Sequence, residues 1–294
     1  MKRLHQFLSA VLLFVVVLAP AQASLKDLEL QKVSVNGVDL AWTEVGDPEG
    51  TPLLLIMGLG GSHRLWGDPF VESLSQAGYR VILFDNRDVG ASQRFNEDGQ
   101  PVIWWNVLKN TMGLPVSARY TLKDMAADTV ALMDELELKD VHLVGASMGG
   151  MIAQIVAADY PARTRSLISI MSTTGASHLP TPGKGDTDKI EELAESDEDY
   201  TQKLNDRGFY PNAIPRHIMA VLDAGDRSES VKTIKAKTLV IHGVDDTLLP
   251  LEHGEHTAEI IPSSTFVSFE GMGHNLPETV LPDLIKSIQA HLGS

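Results

Sequence analysis

A short apolar run, Val141 to Val144, leads straight into Gly145-Ala146-Ser147-Met148-Gly149, and a helical pattern follows from Gly150 to Asp159. No other feature constrains the fold as tightly. A serine between a strand and a helix sits on a sharp turn with its hydroxyl at the top of a sheet, and small neighbours let other backbone approach it closely. The spacing is that of the G-x-S-x-G nucleophile elbow, which needs the strand before and the helix after that this sequence supplies.

Further apolar runs repeat the arrangement. Leu53 to Met57 ends in Gly58-Leu59-Gly60-Gly61, Tyr79 to Phe84 ends at Asp85, Ser166 to Ile170 ends at Met171, Thr238 to Ile241 ends at His242, and Thr265 to Phe269 is the last. Val38 to Val45 alternates apolar and polar in the manner of an edge strand. Between the runs, Leu122, Met125, Ala126, Val130, Met133 and Leu136 recur at helical spacing, as do Leu281, Leu284, Ile285, Ile288 and Leu292. Strands alternating with helices predict an α/β fold, a mainly parallel sheet covered on both faces, with ligands outside the carboxyl ends of the strands.

Two stretches interrupt the alternation. Phe95 to Arg119 reads as irregular and holds Trp104 and Trp105, while Gly175 to Ser230, rich in Pro, Gly and acids, reads as a small, partly helical cap inserted into a single domain spanning 24–294. The tryptophans are candidate walls of an apolar substrate pocket, with core filling as the competing expectation.

The chain has 294 residues with 24 Lys and Arg against 39 Asp and Glu, a net charge of −15. Without a basic patch to displace counterions from phosphates, nucleic acid is not an expected partner. Cysteine is absent, which removes disulfides, zinc-thiolate sites and cysteine nucleophiles. Serine, histidine and carboxylates remain. The loop Gly58 to Gly61 is followed by neither a P-loop Lys-Ser/Thr nor a G-x-G-x-x-G spacing, so no nucleotide site is expected there.

The first 23 residues have the order of a secretory signal peptide: Lys2 and Arg3, an apolar run from Phe7 to Ala19, then Ala21-Gln22-Ala23 before Ser24. The run falls short of the ~20 apolar residues a membrane span needs. The expectation is cleavage, with no stable membrane insertion afterwards and a periplasmic or secreted mature protein. An uncleaved anchor is the competing reading.

A serine hydroxyl needs a base to remove its proton, and the base needs a carboxylate to orient it. On this arrangement the order is serine, acid, histidine. Downstream, one strand leads into Gly243-Val244-Asp245-Asp246 and the last leads into Gly271-Met272-Gly273-His274-Asn275. His274, between glycines in a tight loop, is the candidate base. Asp246 is favoured over Asp245 as the acid, because the loop must leave the strand before turning a carboxylate inward. His242 is expected to pack at its strand end, and His253 and His256 to be solvated on the following helix. The oxyanion hole is expected from the backbone N–H of Met148 and of Leu59.

With these residues in view, the chain resembles the α/β-hydrolase superfamily. Its segments Phe84 to Ser92, Gly145 to Gln154 and Gly271 to Pro277 look like the aclacinomycin methylesterase group. The resemblance implies a mostly parallel eight-stranded sheet and a carboxylic ester hydrolase using Ser147, Asp246 and His274 on a small-molecule ester, with no metal or organic cofactor. It also departs from the pattern, with Met57-Gly58 standing where His-Gly is commoner. The same three residues could serve a proline-iminopeptidase-like aminopeptidase or a cofactor-free perhydrolase, and a binding module that keeps the fold without catalysis is the remote alternative. Asp85 to Ser92 reads as a structural tie near the sheet's carboxyl edge.

Overall fold

The computed structural model describes residues 24–293; the expected signal peptide, 1–23, lies outside them. The chain runs β1 (Gln31–Val35), β2 (Val38–Val45), β3 (Thr51–Ile56), α1 (Asp68–Gln76), β4 (Tyr79–Phe84), α2 (Ile103–Thr111), α3 (Leu122–Glu135), β5 (Val141–Ala146), α4 (Met148–Asp159) and β6 (Thr164–Ile170). It continues through α5 (Lys184–Ala194), α6 (Glu198–Asp206), α7 (Ile214–Ala224), α8 (Ser228–Val231), β7 (Lys237–Gly243), α9 (Glu252–Ile260), β8 (Ser264–Phe269) and α10 (Leu281–Leu292).

The eight strands form one sheet in the order β1-β2-β4-β3-β5-β6-β7-β8. From β4 through β8 every pairing is parallel, while β2 runs antiparallel to both of its neighbours. The continuous apolar runs follow from a sheet buried on both faces. Leu54 and Ile56 of β3 pack with Leu122, Met125 and Met133 of α3 and with α4 on one side. Leu53 and Leu55 pack with Phe70 and Leu74 of α1 and with Leu284 and Ile288 of α10 on the other. Each such fully buried leucine or phenylalanine contributes about 1.5–3 kcal/mol. Helix α3 starts at a capping box, Thr121 accepting from the Asp124 N–H while the Asp124 carboxylate accepts from Thr121 N–H.

Three expectations are corrected. Val38–Val45 is not the edge strand: β1 lies outside it, joined through Asn36 and Gly37, both at positive φ (48° and 76°). That is the twist a two-residue hairpin turn needs. Phe95 to Arg119 is not wholly irregular, because α2 lies within it. Third, the tryptophans do not fill core: Trp104 and Trp105 are 65% and 46% exposed on α2, their rings set edge to face against each other.

Strand order reverses between β3 and β5, since the chain leaves β3 toward β4 and leaves β5 toward β6 on the opposite side. Connections that diverge in this way open a crevice at the carboxyl ends of the two strands. The stretch after β6 holds α5 to α8 before the chain returns to the sheet at β7. Among the described residues no helix is long and apolar enough to cross a membrane.

Candidate active site

The crevice between β3 and β5 is where Ser147 stands. It lies between the last residue of β5 and the first of α4, at φ 54° and ψ −122°. A non-glycine residue there is strained and persists only when its surroundings hold it. Ser147 N–H donates to Ile170 O (2.9 Å), and its carbonyl accepts from Gly150 N–H (2.9 Å) and from Ser172 Oγ (2.8 Å). Close approach explains the glycines. A Cβ on Gly149 would lie 1.9 Å from Ile56 O, and one on Gly58 would lie 2.9 Å from Ser147 Cβ.

His274 and Asp246 complete a hydrogen-bonded line. His274 Nε2 lies 2.8 Å from Ser147 Oγ, and its Nδ1 lies 2.8 Å from Asp246 Oδ2. With Nδ1 protonated and donating to the carboxylate, Nε2 is free to accept the serine proton. Asp246 is buried, and its other oxygen accepts from the N–H groups of Leu248 (3.0 Å) and Leu249 (2.9 Å). Burial alone would push this carboxyl up. Hydrogen bonds from His242 and His274, the electrostatic attraction of the His274 ring and the Leu249 N–H outweigh burial and hold it well below the usual carboxylate range. Asp246 therefore stays ionised beside the imidazole.

Next to the serine, the N–H of Met148 finds no acceptor within the described protein, nor does that of Leu59. Both flank the crevice, and Met148 opens α4, whose N-terminal end carries partial positive charge. Two unspent donors beside a nucleophile can hold developing negative charge on a carbonyl oxygen. The loop that carries Leu59 is braced by Asn86, whose side-chain amide donates to Met57 O (2.9 Å).

The other candidates fall as follows. Asp245 is exposed, and its carboxylate accepts from Gly271 N–H (2.7 Å), steadying the loop before His274. His242 is fully buried, its Nε2 donating to Leu249 O (2.7 Å) and standing 3.5 Å from Asp246. His253 is not solvated but buried, held by Thr173 Oγ1 (2.7 Å) and Pro180 O (2.9 Å). The Asp85 to Ser92 segment is a dense tie: Asp85 accepts from His63 and Ala91, Asp88 from Arg216 and Tyr120, and Arg87 pairs with Asp128. His63 and His217, both buried near the Gly58 loop, were not singled out by the sequence, because their partners come from distant segments.

Comparison with known proteins agrees with this architecture. The family model described as alpha/beta hydrolase fold matches residues 51–204, over half of the chain. The chain belongs to the α/β hydrolase fold family. Among curated members, this hydrolase is similar to rhodomycin D methylesterase DauP of Streptomyces sp. strain C5, 29% identical with 85% of this chain and 94% of the relative covered. Its fold is similar to that of the esterase RhEst1 from Rhodococcus sp. ECU1013 (TM-score 0.67, 20% identity, 91% of this chain and 99% of the other). It is likewise similar to a bromoperoxidase from Bacillus anthracis (TM-score 0.69, 22% identity, 90% and 100%).

Proposed function

We propose that this α/β hydrolase cleaves carboxylic esters of small molecules through an acyl-enzyme on Ser147. One observation carries the reading: a serine on strained backbone, its hydroxyl 2.8 Å from an imidazole that is itself 2.8 Å from a buried, ionised carboxylate. The likeness to a methylesterase over most of the chain supports the same reaction class.

In this mechanism Ser147 Oγ attacks the ester carbonyl carbon while its proton passes to His274 Nε2. The carbonyl oxygen becomes an oxyanion and rests on the N–H groups of Met148 and Leu59. The C–O bond to the alcohol breaks, the alkoxide takes the proton from His274, and the acyl group stays on Ser147. Water then attacks the acyl-enzyme, giving its proton to His274, and the acid leaves as Ser147 regains its own. Asp246 keeps the imidazole in the accepting tautomer and stabilises the imidazolium that forms twice per cycle. These groups supply nucleophile, base and charge stabilisation.

The test is hydrolysis of p-nitrophenyl esters from acetate to dodecanoate by the protein from Ser24 onward, beside Ser147→Ala. Turnover by the wild type and none by the variant supports the reading, and the chain-length profile sizes the acyl pocket. Silence from both overturns it; amino-acid amides offered in parallel distinguish a peptidase. Export through residues 1–23 belongs to the same proposal, and an intact mass beginning at Ser24 in a cell envelope or culture supernatant is its check.

A further inference from the structure

The loop that carries Leu59 is sewn to the insert between β6 and β7. Tyr210 N–H donates to Gly60 O (2.7 Å), and Ser62 N–H donates to Gly208 O (2.8 Å). Gly61 and Phe209 form an antiparallel bridge. The third stitch is a side chain: Gly60 N–H donates to His217 Nδ1 (3.2 Å) on α7, and the opposite nitrogen of that ring donates to Arg87 O (3.2 Å). His217 is fully buried, and burial holds it neutral with its pKa lowered to about 4, so Nδ1 keeps the lone pair that the Gly60 amide needs.

The consequence is selective. From Leu59 to His63, the N–H of Gly60 goes to His217, that of Gly61 to Gly58 O, that of Ser62 to Gly208 O and that of His63 to Asp85. Only Leu59 keeps an unspent donor. We infer that His217 is a positioning residue for ester hydrolysis: by accepting the Gly60 N–H from the insert, it sets the loop so that the Leu59 N–H faces the oxyanion. This rests on the proposed function, since it assigns Leu59 a task in that reaction. The insert thereby becomes part of the catalytic scaffold.

Two variants separate the two bonds His217 makes. His217→Asn places an amide oxygen near the position of Nδ1 and keeps an acceptor for Gly60, while giving up the bond to Arg87. His217→Gln reaches Arg87 O with its amide nitrogen and leaves Gly60 without an acceptor. The expected result is that Gln lowers kcat tenfold or more with KM within twofold, whereas Asn restores kcat to within about threefold of wild type. Affinity for a trifluoromethyl ketone, whose adduct carries the oxyanion, should fall in step with kcat. Amide hydrogen exchange over residues 58–62 should quicken in Gln and not in Asn, a readout that stands even if the wild type hydrolyses no ester. Equal losses in the two variants, tracking their thermal midpoints, would assign His217 to packing alone and overturn the inference. So would unchanged exchange and unchanged kcat in His217→Gln.

Discussion

Asp246→Asn tests the line of hydrogen bonds most sharply, because two backbone donors on Oδ1 outweigh the longer contact of His242 with Oδ2 (3.5 Å) and set the orientation of the new amide. Oδ1 of Asp246 is pinned by two backbone donors, Leu248 N–H at 3.0 Å and Leu249 N–H at 2.9 Å. An asparagine must keep its carbonyl oxygen on them, since flipping it would set an NH2 against two N–H groups and forfeit both bonds, about 1 kcal/mol each and more for the groups left bare. The amide nitrogen then faces His274 Nδ1, where the carboxylate had accepted at 2.8 Å. A donor there turns the imidazole to the other tautomer, with the proton on Nε2, the atom 2.8 Å from Ser147 Oγ. A protonated Nε2 cannot take the serine proton. The expected loss in kcat is on the order of 10⁴-fold, about 5 kcal/mol in activation free energy, with KM little changed and the thermal midpoint within a few degrees of wild type. The assay is steady-state hydrolysis of the best p-nitrophenyl ester, with far-UV circular dichroism as the folding control. A loss of less than tenfold in a folded variant would refute the tautomer argument and with it the role given to Asp246.

Gly149→Ala would put a Cβ 1.9 Å from Ile56 O, forcing the start of α4 to move by roughly 1.5 Å to reach ordinary contact. That carries the Met148 N–H with it, and kcat should fall ~100-fold along with the thermal midpoint. His142, His217 and His291 have their pKa values lowered to about 4, chiefly by burial. The unfolded chain takes these protons near pH 6.5 and the folded one only near pH 4, so stability present above pH 6.5 is lost as the pH falls toward 4. For His217 the difference is ~3 kcal/mol, and the urea midpoint followed from pH 7 to 4.5 reads it. Arg216→Met leaves Asp88 buried without its ion-pair partner and should destabilise by ~3–5 kcal/mol in urea unfolding. Adding Asp88→Asn to it should cost less than the two single changes summed.

Much of the fold was legible because its central strands, β3 to β7, are largely buried on both faces and so read as apolar runs. The sequence could offer Ser147, Asp246 and His274 as candidates because each follows an apolar run within a few residues, and the structure brings the three into one hydrogen-bonded line. β1 was missed because its surface-facing Gln31, Lys32 and Ser34 dilute the pattern, although the Asn36-Gly37 turn that creates the hairpin was there to read. α2 was missed for the opposite reason. Its apolar residues face outward, so their spacing does not report a core-facing stripe. His253 and His217 escaped because what buries them is nonlocal: Thr173 and Pro180 for one, Gly60 at a separation of 157 residues for the other.

Ser147 and His274 are 127 residues apart in the chain, with helices α4 to α9 and strands β6, β7 and β8 made in between. The loops after the last two strands of the sheet carry Asp246 and His274, the acid and base of the proposed reaction. The hydrogen-bonded line of Ser147, His274 and Asp246 therefore exists only once segments on both sides of the insert have come together. On the proposed function, recovery of hydrolysis in refolding would report the meeting of these three segments, whereas circular dichroism would report the helices and strands. Any interval between the two signals would measure how long the protein exists as a folded body without chemistry.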